Sequence, residues 1–258
     1  MIIKFENVSC GYKKHCVVSN LNFSFKTGEA TCILGANGIG KTTLFKTLLG
    51  YIELLSGNIY VDQTDISKLS SKERALVMAY VPQAKSCSYQ FMVRDIVLMG
   101  RAAYISKFQS PRKEDLKIVN DVIEQVGIRN FADKNYFELS GGEQQMVLLA
   151  RALAQKSKFI LLDEPASNLD YNNQKKLLKL VTQLTEKGIG ILMVSHAPEH
   201  SYICCKNSLL ISKEGSYIFG KTEEVVNERN LSDIYGVPIG VIQFMDSDKN
   251  NIRTCYLK

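Results

Sequence analysis

The sequence predicts an α/β fold that carries an inserted helical block and a β extension at its end, and three textures support this. Four short apolar runs recur: ATCILG (30–35), KFILLD (158–163), GILMVS (190–195) and SLLIS (208–212). Such unbroken runs suit parallel strands covered on both faces. The N-terminal segments IIKFENV (2–8) and VVSNLNFSF (17–25) alternate instead, as half-buried strands do. From about 84 to 157 the period becomes helical, with Ile96, Val97, Met99 and Gly100, then Leu116, Val119, Val122, Ile123 and Val126.

The remaining elements follow in order. ATCILG ends in glycine and runs into a helix-like KTTLFKTLLG, so strand, glycine-rich turn and helix form the first half of an α/β unit. GNIYVDQ (57–63) and ALVMAYVPQ (75–83) read as strands. NNQKKLLKLVTQLTEK (172–187) reads as a helix stopped by Gly188. In the tail, VIQFMD, a DKNN turn and IRTCYLK form a hairpin. The expected division is one domain: a core with its β subdomain at 1–83 and 158–230, a helical subdomain at 84–157 and a C-terminal β extension at 231–258. No internal repeat or low-complexity linker is present.

Composition narrows the class only modestly. The 258 residues are long for one simple domain and short for two. Thirty-two Lys+Arg against 26 Asp+Glu leave a formal charge of +6, which suits a nucleotide, an anionic lipid surface or a nucleic acid but is common elsewhere. The seven cysteines are odd in number and none has C-x-x-C spacing, which favours reduced thiols over a disulfide framework or zinc site. MIIKFENVSCGY lacks the apolar stretch of a signal peptide. No run approaches the roughly 18–20 apolar residues that span a bilayer, so a role at a membrane requires another chain to supply the span.

GANGIGKT (35–42) fits G-x-x-x-x-G-K-[ST] between a strand and a helix. Gly35, Asn37, Gly38 and Gly40 belong to a loop whose backbone N–H groups can converge on one anion, and the helix that follows offers its N-terminus. Lys41 can reach the β- and γ-phosphates, and the Thr42 hydroxyl, with Thr43 behind it, can ligate Mg²⁺. The competing reading is a glycine-rich turn with a surface lysine.

KFILLDEP (158–165) runs from apolar residues into Asp163 and Glu164. The carboxyl end of a buried parallel strand is where α/β proteins bind ligands. Asp163 is placed to hold Mg²⁺, and Glu164 to orient a water for in-line attack on a γ-phosphate. Alone, the pair could equally be solvated carboxylates ending a strand.

LSGGEQQ (139–145) is a second anion cradle: Ser140, Gly141 and Gly142 put a hydroxyl and backbone N–H groups at the start of a helix. One anion needs only one such loop. With this motif the chain resembles the nucleotide-binding subunit of an ABC transporter, over roughly residues 1–225. LSGGE is that family's signature, far more specific than the phosphate loop. The resemblance implies a P-loop ATPase core with an antiparallel β subdomain and an inserted helical subdomain. It implies that Tyr12 stacks on adenine, although a lone aromatic after a strand is often core. It implies that Gln83 is the Q-loop glutamine, linking the metal site to the helical subdomain, that Asn168, Leu169 and Asp170 form the D-loop, and that His196 contacts the γ-phosphate.

In that family two chains pair head to tail, each ATP lying between one chain's phosphate loop and the other's signature. The resemblance therefore implies a homodimer in which Ser140, Gly141, Gly142 and Asp170 serve the partner's ATP, with ATP and Mg²⁺ as cofactors and Glu164, His196 and Gln83 catalytic. The metal would be held by Thr42, Gln83 and Asp163. Integral membrane permease subunits, and indirectly a substrate-binding protein, would be the other partners, on the cytoplasmic face of the membrane.

VRDIVLMGR (93–101) and LSDIYGVPIGVIQF (231–244) are similar to the branch that powers uptake of iron chelates, haem, vitamin B12 or molybdate-like oxyanions. A non-transport ATPase, such as an iron–sulfur assembly partner, is the alternative. A nucleic-acid machine of this class would need long coiled-coil arms, and no sustained heptads separate the motifs. Two positions of the phosphate loop depart from the family's usual proline and serine without losing a phosphate-binding group. Ala197 stands where many members carry an acidic residue. His15 reads as a surface residue, and His196 and His200, without a helical H-E-x-x-H setting, do not read as a zinc site.

Overall fold

The computed structural model describes residues 1–258 apart from 13–14, 85–89, 107–108, 168, 246 and 248–250, and the side chain of Asn251. In chain order the elements are β1 (Ile2–Tyr12), β2 (His15–Lys26), β3 (Ala30–Leu34), α1 (Lys41–Leu48), β4 (Ser56–Val61), β5 (Thr64–Asp65), α2 (Ser71–Val77), β6 (Met78–Val81), α3 (Val93–Met99), α4 (Lys113–Val126) and α5 (Gly141–Ala154). There follow β7 (Phe159–Asp163), α6 (Tyr171–Glu186), β8 (Gly190–Ser195), α7 (Pro198–Cys204), β9 (Asn207–Ile211), β10 (Tyr217–Lys221), α8 (Thr222–Val225), α9 (Glu228–Tyr235), β11 (Ile239–Met245) and β12 (Asn251–Leu257).

The strands form three sheets: an antiparallel β2-β1-β4-β5, a larger β10-β9-β3-β8-β7-β6, and the hairpin β11-β12. In the larger sheet β9, β3, β8, β7 and β6 run parallel and only β10 is antiparallel. Alternation along its strands explains the unbroken apolar runs. Cys32, Leu34, Ile160, Leu162, Ile191 and Met193 face a core shared with the helices. Ile33, Phe159, Leu161, Leu192 and Val194 face a second core shared with the antiparallel sheet. There Phe5 stacks on Phe23 at 4.3 Å, and Phe25 meets Phe159 edge-on at 5.2 Å. Both faces are buried, so no polar residue is needed until the strand ends.

α3, α4 and α5 pack together within the segment read as helical. Arg101, just past α3, is buried; its Nε donates to Asp115 on α4 at 2.9 Å, and its Nη1 to the Ala154 carbonyl at the end of α5. A Cβ on Gly100 would lie 2.1 Å from the Arg151 carbonyl, so only glycine allows this crossing. The GR of VRDIVLMGR is thus a packing device joining three helices.

Several expectations need correction. ALVMAYVPQ is not one strand: Ser70 and Glu73 form a reciprocal capping box that starts α2, which runs to Val77 before β6 begins. Leu116 belongs to α4 but is 47% exposed, and the neighbouring Ile118 takes the core position. The boundary expected at 231 falls inside α9, which is capped by Asn227 and ended by left-handed Gly236, so the extension begins as a helix. β10 and α8 were not anticipated. His200 does lie on a helix, α7, although no cluster of three or more metal-ligating side chains occurs among the described residues. The first three residues of the expected DKNN turn, and Asn168 of the expected D-loop, lie outside the described residues.

Candidate active site

The phosphate loop leaves the carboxyl end of β3 and enters α1. Its tip, Asn37 and Gly38, is exposed, whereas Gly35 and Thr43 are buried. Gly40 caps α1 in a left-handed conformation, φ 97°, and a Cβ there would sit 2.3 Å from Val17 on β2. That close approach seats the β1–β2 hairpin beside the loop. Tyr12, which closes the hairpin opposite His15 and is 50% exposed, stands two residues beyond the Cys10–Val18 pair.

Lys41 is 6% exposed, and its ammonium donates to the carbonyls of Gly35 (2.7 Å) and Ala36 (2.8 Å). Burial lowers its pKa, while Glu164 and Asp163 pull the other way and favour the charged form. Thr42 Oγ1 lies 3.4 Å from Asp163 Oδ1. The other Asp163 oxygen accepts from the Tyr80 hydroxyl at 3.0 Å. Burial raises the Asp163 pKa, and the Tyr80 and Thr42 bonds oppose the shift. Two hard oxygen donors facing each other at the phosphate loop suit a divalent cation.

Glu164 follows directly, with φ 49°, its N–H on the Val194 carbonyl of β8 at 3.2 Å. The left-handed step turns its carboxylate toward His196, whose Nε2 lies 2.5 Å from Oε1. β7 and β8 pair in parallel with Asp163 opposite Val194, so the acidic strand end and the switch histidine emerge side by side. Gln83 lines the same cleft as Thr42 and Asp163. Its Nε2 donates to Ser167 Oγ at 2.9 Å, and that hydroxyl donates to the Glu164 carbonyl at 3.0 Å. The glutamine amide thus reaches the Glu164 segment through Ser167.

At the signature, Ser140 caps α5. Its backbone N–H and its hydroxyl both donate to Glu143 Oε2 at 2.8 Å. Gly141 faces open space, whereas Gly142 is buried against Leu169 and Asn173. Asp170 is exposed and caps α6 through the Asn173 N–H at 2.7 Å. Among the described residues no hydrogen bond or ion pair joins Ser140 to the phosphate loop.

Three contributors escaped the sequence reading. Tyr80 meets Asp163 only because β6 lies beside β7, a strand order no local pattern reveals. Ser167 needs the turn after Glu164. Gln145 lay inside the quoted signature: its Oε1 accepts from the Ala84 N–H at 2.8 Å and its Nε2 donates to the Pro82 carbonyl at 3.3 Å. It fastens the Q-loop to α5.

The fold and site together define a P-loop ATPase with a helical insertion that carries a second glycine-rich helix start. A model of the ABC transporter family matches residues 18–167, and the chain belongs to that family. An ABC transporter ATP-binding protein of Haemophilus influenzae is 36% identical over 235 residues, 91% of this chain and 89% of the relative. A protein assigned to iron chelatin transport in Helicobacter pylori is 32% identical over 244 residues, 94% of this chain and 96% of the relative. Among solved structures, one in an inward-facing conformation, assigned to the metal-chelate type of ABC transporter, superposes with a TM-score of 0.89 at 29% identity. It covers 99% of this chain and 97% of its own. The protein is therefore the ATP-binding, ATP-hydrolysing subunit of an ABC system.

Proposed function

We propose that this subunit powers import of a metal chelate, corrinoid, haem or oxyanion through a separate membrane permease. The observation that supports this reading furthest is the likeness to the metal-chelate-type structure, which covers 99% of the chain and so takes in α9 and most of the hairpin. Two copies would pair head to tail, because the phosphate loop and the signature do not meet within one chain and each cradle still needs an anion. ATP would be gripped by Lys41 and the Asn37–Thr43 backbone of one copy, with Tyr12 against the base. Ser140, Gly141, Gly142 and Asp170 of the other copy would close over it.

Mg²⁺ fits Thr42 and Asp163, with Gln83 in the same cleft, and when bound it would supply charge neutralisation at the phosphates. Glu164 would accept the proton of the attacking water, with His196 orienting its carboxylate. Loss of the γ-phosphate would remove the contacts that hold the copies together. The cleft that holds Thr42, Gln83 and Asp163, about 520 Å³, extends to Phe91, Met99 and Arg151 at the helical block, and a permease segment would approach from that end. Arg151 makes no ion pair among the described residues and its pKa is lowered by burial, so an acidic side chain on that segment would complete it. No described helix is long and apolar enough to cross a membrane, which leaves the span to the permease.

The test is a pull-down of tagged Glu164→Gln protein from native membranes in mild detergent with ATP. Recovery of a polytopic membrane protein is the expected result. Recovery of soluble partners alone would overturn the importer reading and point to a non-transport ATPase.

A further inference from the structure

We infer that Tyr235, the last residue of the C-terminal helix α9, is a positioning residue that fixes the His196 backbone beside the start of the phosphate loop. β3 and β8 pair in parallel with Leu34 opposite Ser195, so Gly35 and His196 leave the sheet as immediate neighbours. The Tyr235 hydroxyl reaches the second of them. It donates to the His196 backbone carbonyl at 3.3 Å. One side chain from the extension thus holds the backbone of a segment that leaves the sheet beside the phosphate loop.

The support behind it is stiff. Leu231 and Ile234 bury one face of α9 in the core, and Asn227 and Gly236 define its ends. The hairpin is fastened to α9 where Ser232 Oγ accepts from the Ile239 N–H and Glu228 accepts from the Val241 N–H, both at 2.9 Å. It is fastened to α7, the helix after His196, where Glu199 accepts from the Cys255 N–H at 3.0 Å. From inside the switch, His200 Nδ1 meets Ser195 Oγ at 2.9 Å. Of these groups only Tyr235 holds the His196 backbone directly from the extension. A hydroxyl that fixes a carbonyl fixes the peptide on which the imidazole is hung, and hence where that imidazole lies against Glu164. The extension therefore does more than cover the sheet.

A buried tyrosine can also bond the nearest carbonyl for solubility of its hydroxyl alone, and Tyr202 supplies the comparison. Its hydroxyl donates to the Val226 carbonyl at 2.6 Å, away from both loops. The consequence for turnover depends on His196 orienting the Glu164 carboxylate, as proposed above. The experiment compares Tyr235→Phe and Tyr202→Phe in the full-length chain by imidazole NMR and by turnover at saturating ATP and Mg²⁺. In Tyr235→Phe the His196 resonances should shift while those of His15 stay. Turnover should fall roughly 5-fold, the scale of one hydrogen bond, with nucleotide affinity held within about 2-fold. In a His196→Ala background the same substitution should cost nothing more. Tyr202→Phe should leave the His196 resonances and turnover in place.

Unmoved His196 resonances in Tyr235→Phe, or an equal loss of turnover with and without His196, would overturn the brace. If His196→Ala alone turned over at the parent rate while Tyr235→Phe still shifted the His196 resonances, the brace would stand and the catalytic reading of His196 would fall.

Discussion

His196 Nε2 and Glu164 Oε1 lie 2.5 Å apart, at the ends of two adjacent parallel strands. The contact orients the carboxylate that, in the function proposed above, would accept the proton of the attacking water. Glu164→Gln keeps the shape of the side chain and removes its basicity. Turnover should drop by about 100-fold or more, while ATP affinity stays close to the parent's. Rapid-quench measurement of phosphate release, paired with equilibrium nucleotide binding, checks both; a variant that turns over normally would remove Glu164 from its role.

Lys41 donates to two carbonyls of its own loop, Gly35 and Ala36, and so is pre-placed where a β- or γ-phosphate would replace one of them. Lys41→Ala deletes a buried cation from an anion site. ATP affinity should weaken by about 100-fold, the scale of one to two charge-assisted hydrogen bonds. Titration of a fluorescent ATP analogue reads this directly, and unchanged affinity would contradict the site.

The Ser140 hydroxyl donates to Glu143, and Gly141 faces open space. Ser140→Arg fills that space without touching the chain's own phosphate loop. Nucleotide binding by the isolated chain should therefore persist and hydrolysis should fall by at least about 10-fold. Full activity would argue against a site shared between two copies.

Arg101 and Asp115 form a buried pair that ties three helices together. The Arg101 guanidinium beside Asp115 lowers the carboxyl pKa below its ordinary 3.8. A depressed acid stabilises the fold above its ordinary value, and the contribution is lost as pH falls through the lowered one. Asp115→Asn should cost about 3 kcal/mol at neutral pH, because the guanidinium is left buried and unpaired. Urea unfolding should show the gap between variant and parent narrowing below about pH 4. A gap independent of pH would assign the loss to packing instead.

The local motifs were legible because they are local. GANGIGKT, DEP, LSGGE and the histidine after GILMVS each act through backbone N–H groups or a side chain placed by the strand or helix it terminates. The two-faced burial of β3, β7 and β8 was legible for the same reason, since a strand with a core on each side is apolar almost throughout, Thr31 being the buried polar exception in β3. Where a local rule competed with another, the reading slipped. At 75–77 apolar content suggested strand, but the Ser70–Glu73 box had already committed the chain to helix.

Sequence alone thus determined the chemical vocabulary: two anion cradles, a carboxylate pair, a histidine, and strands that had to be buried on both sides. Tertiary structure decided which groups meet. Tyr80 reaches Asp163 because β6 lies beside β7, Gln83 reaches Glu164 only through Ser167, and Tyr235 arrives under His196 from about forty positions later in the chain. Those partnerships depend on strand order and on side chains converging from distant segments. A one-dimensional pattern carries no record of such convergence, because each partner alone is an ordinary tyrosine, serine or glutamine.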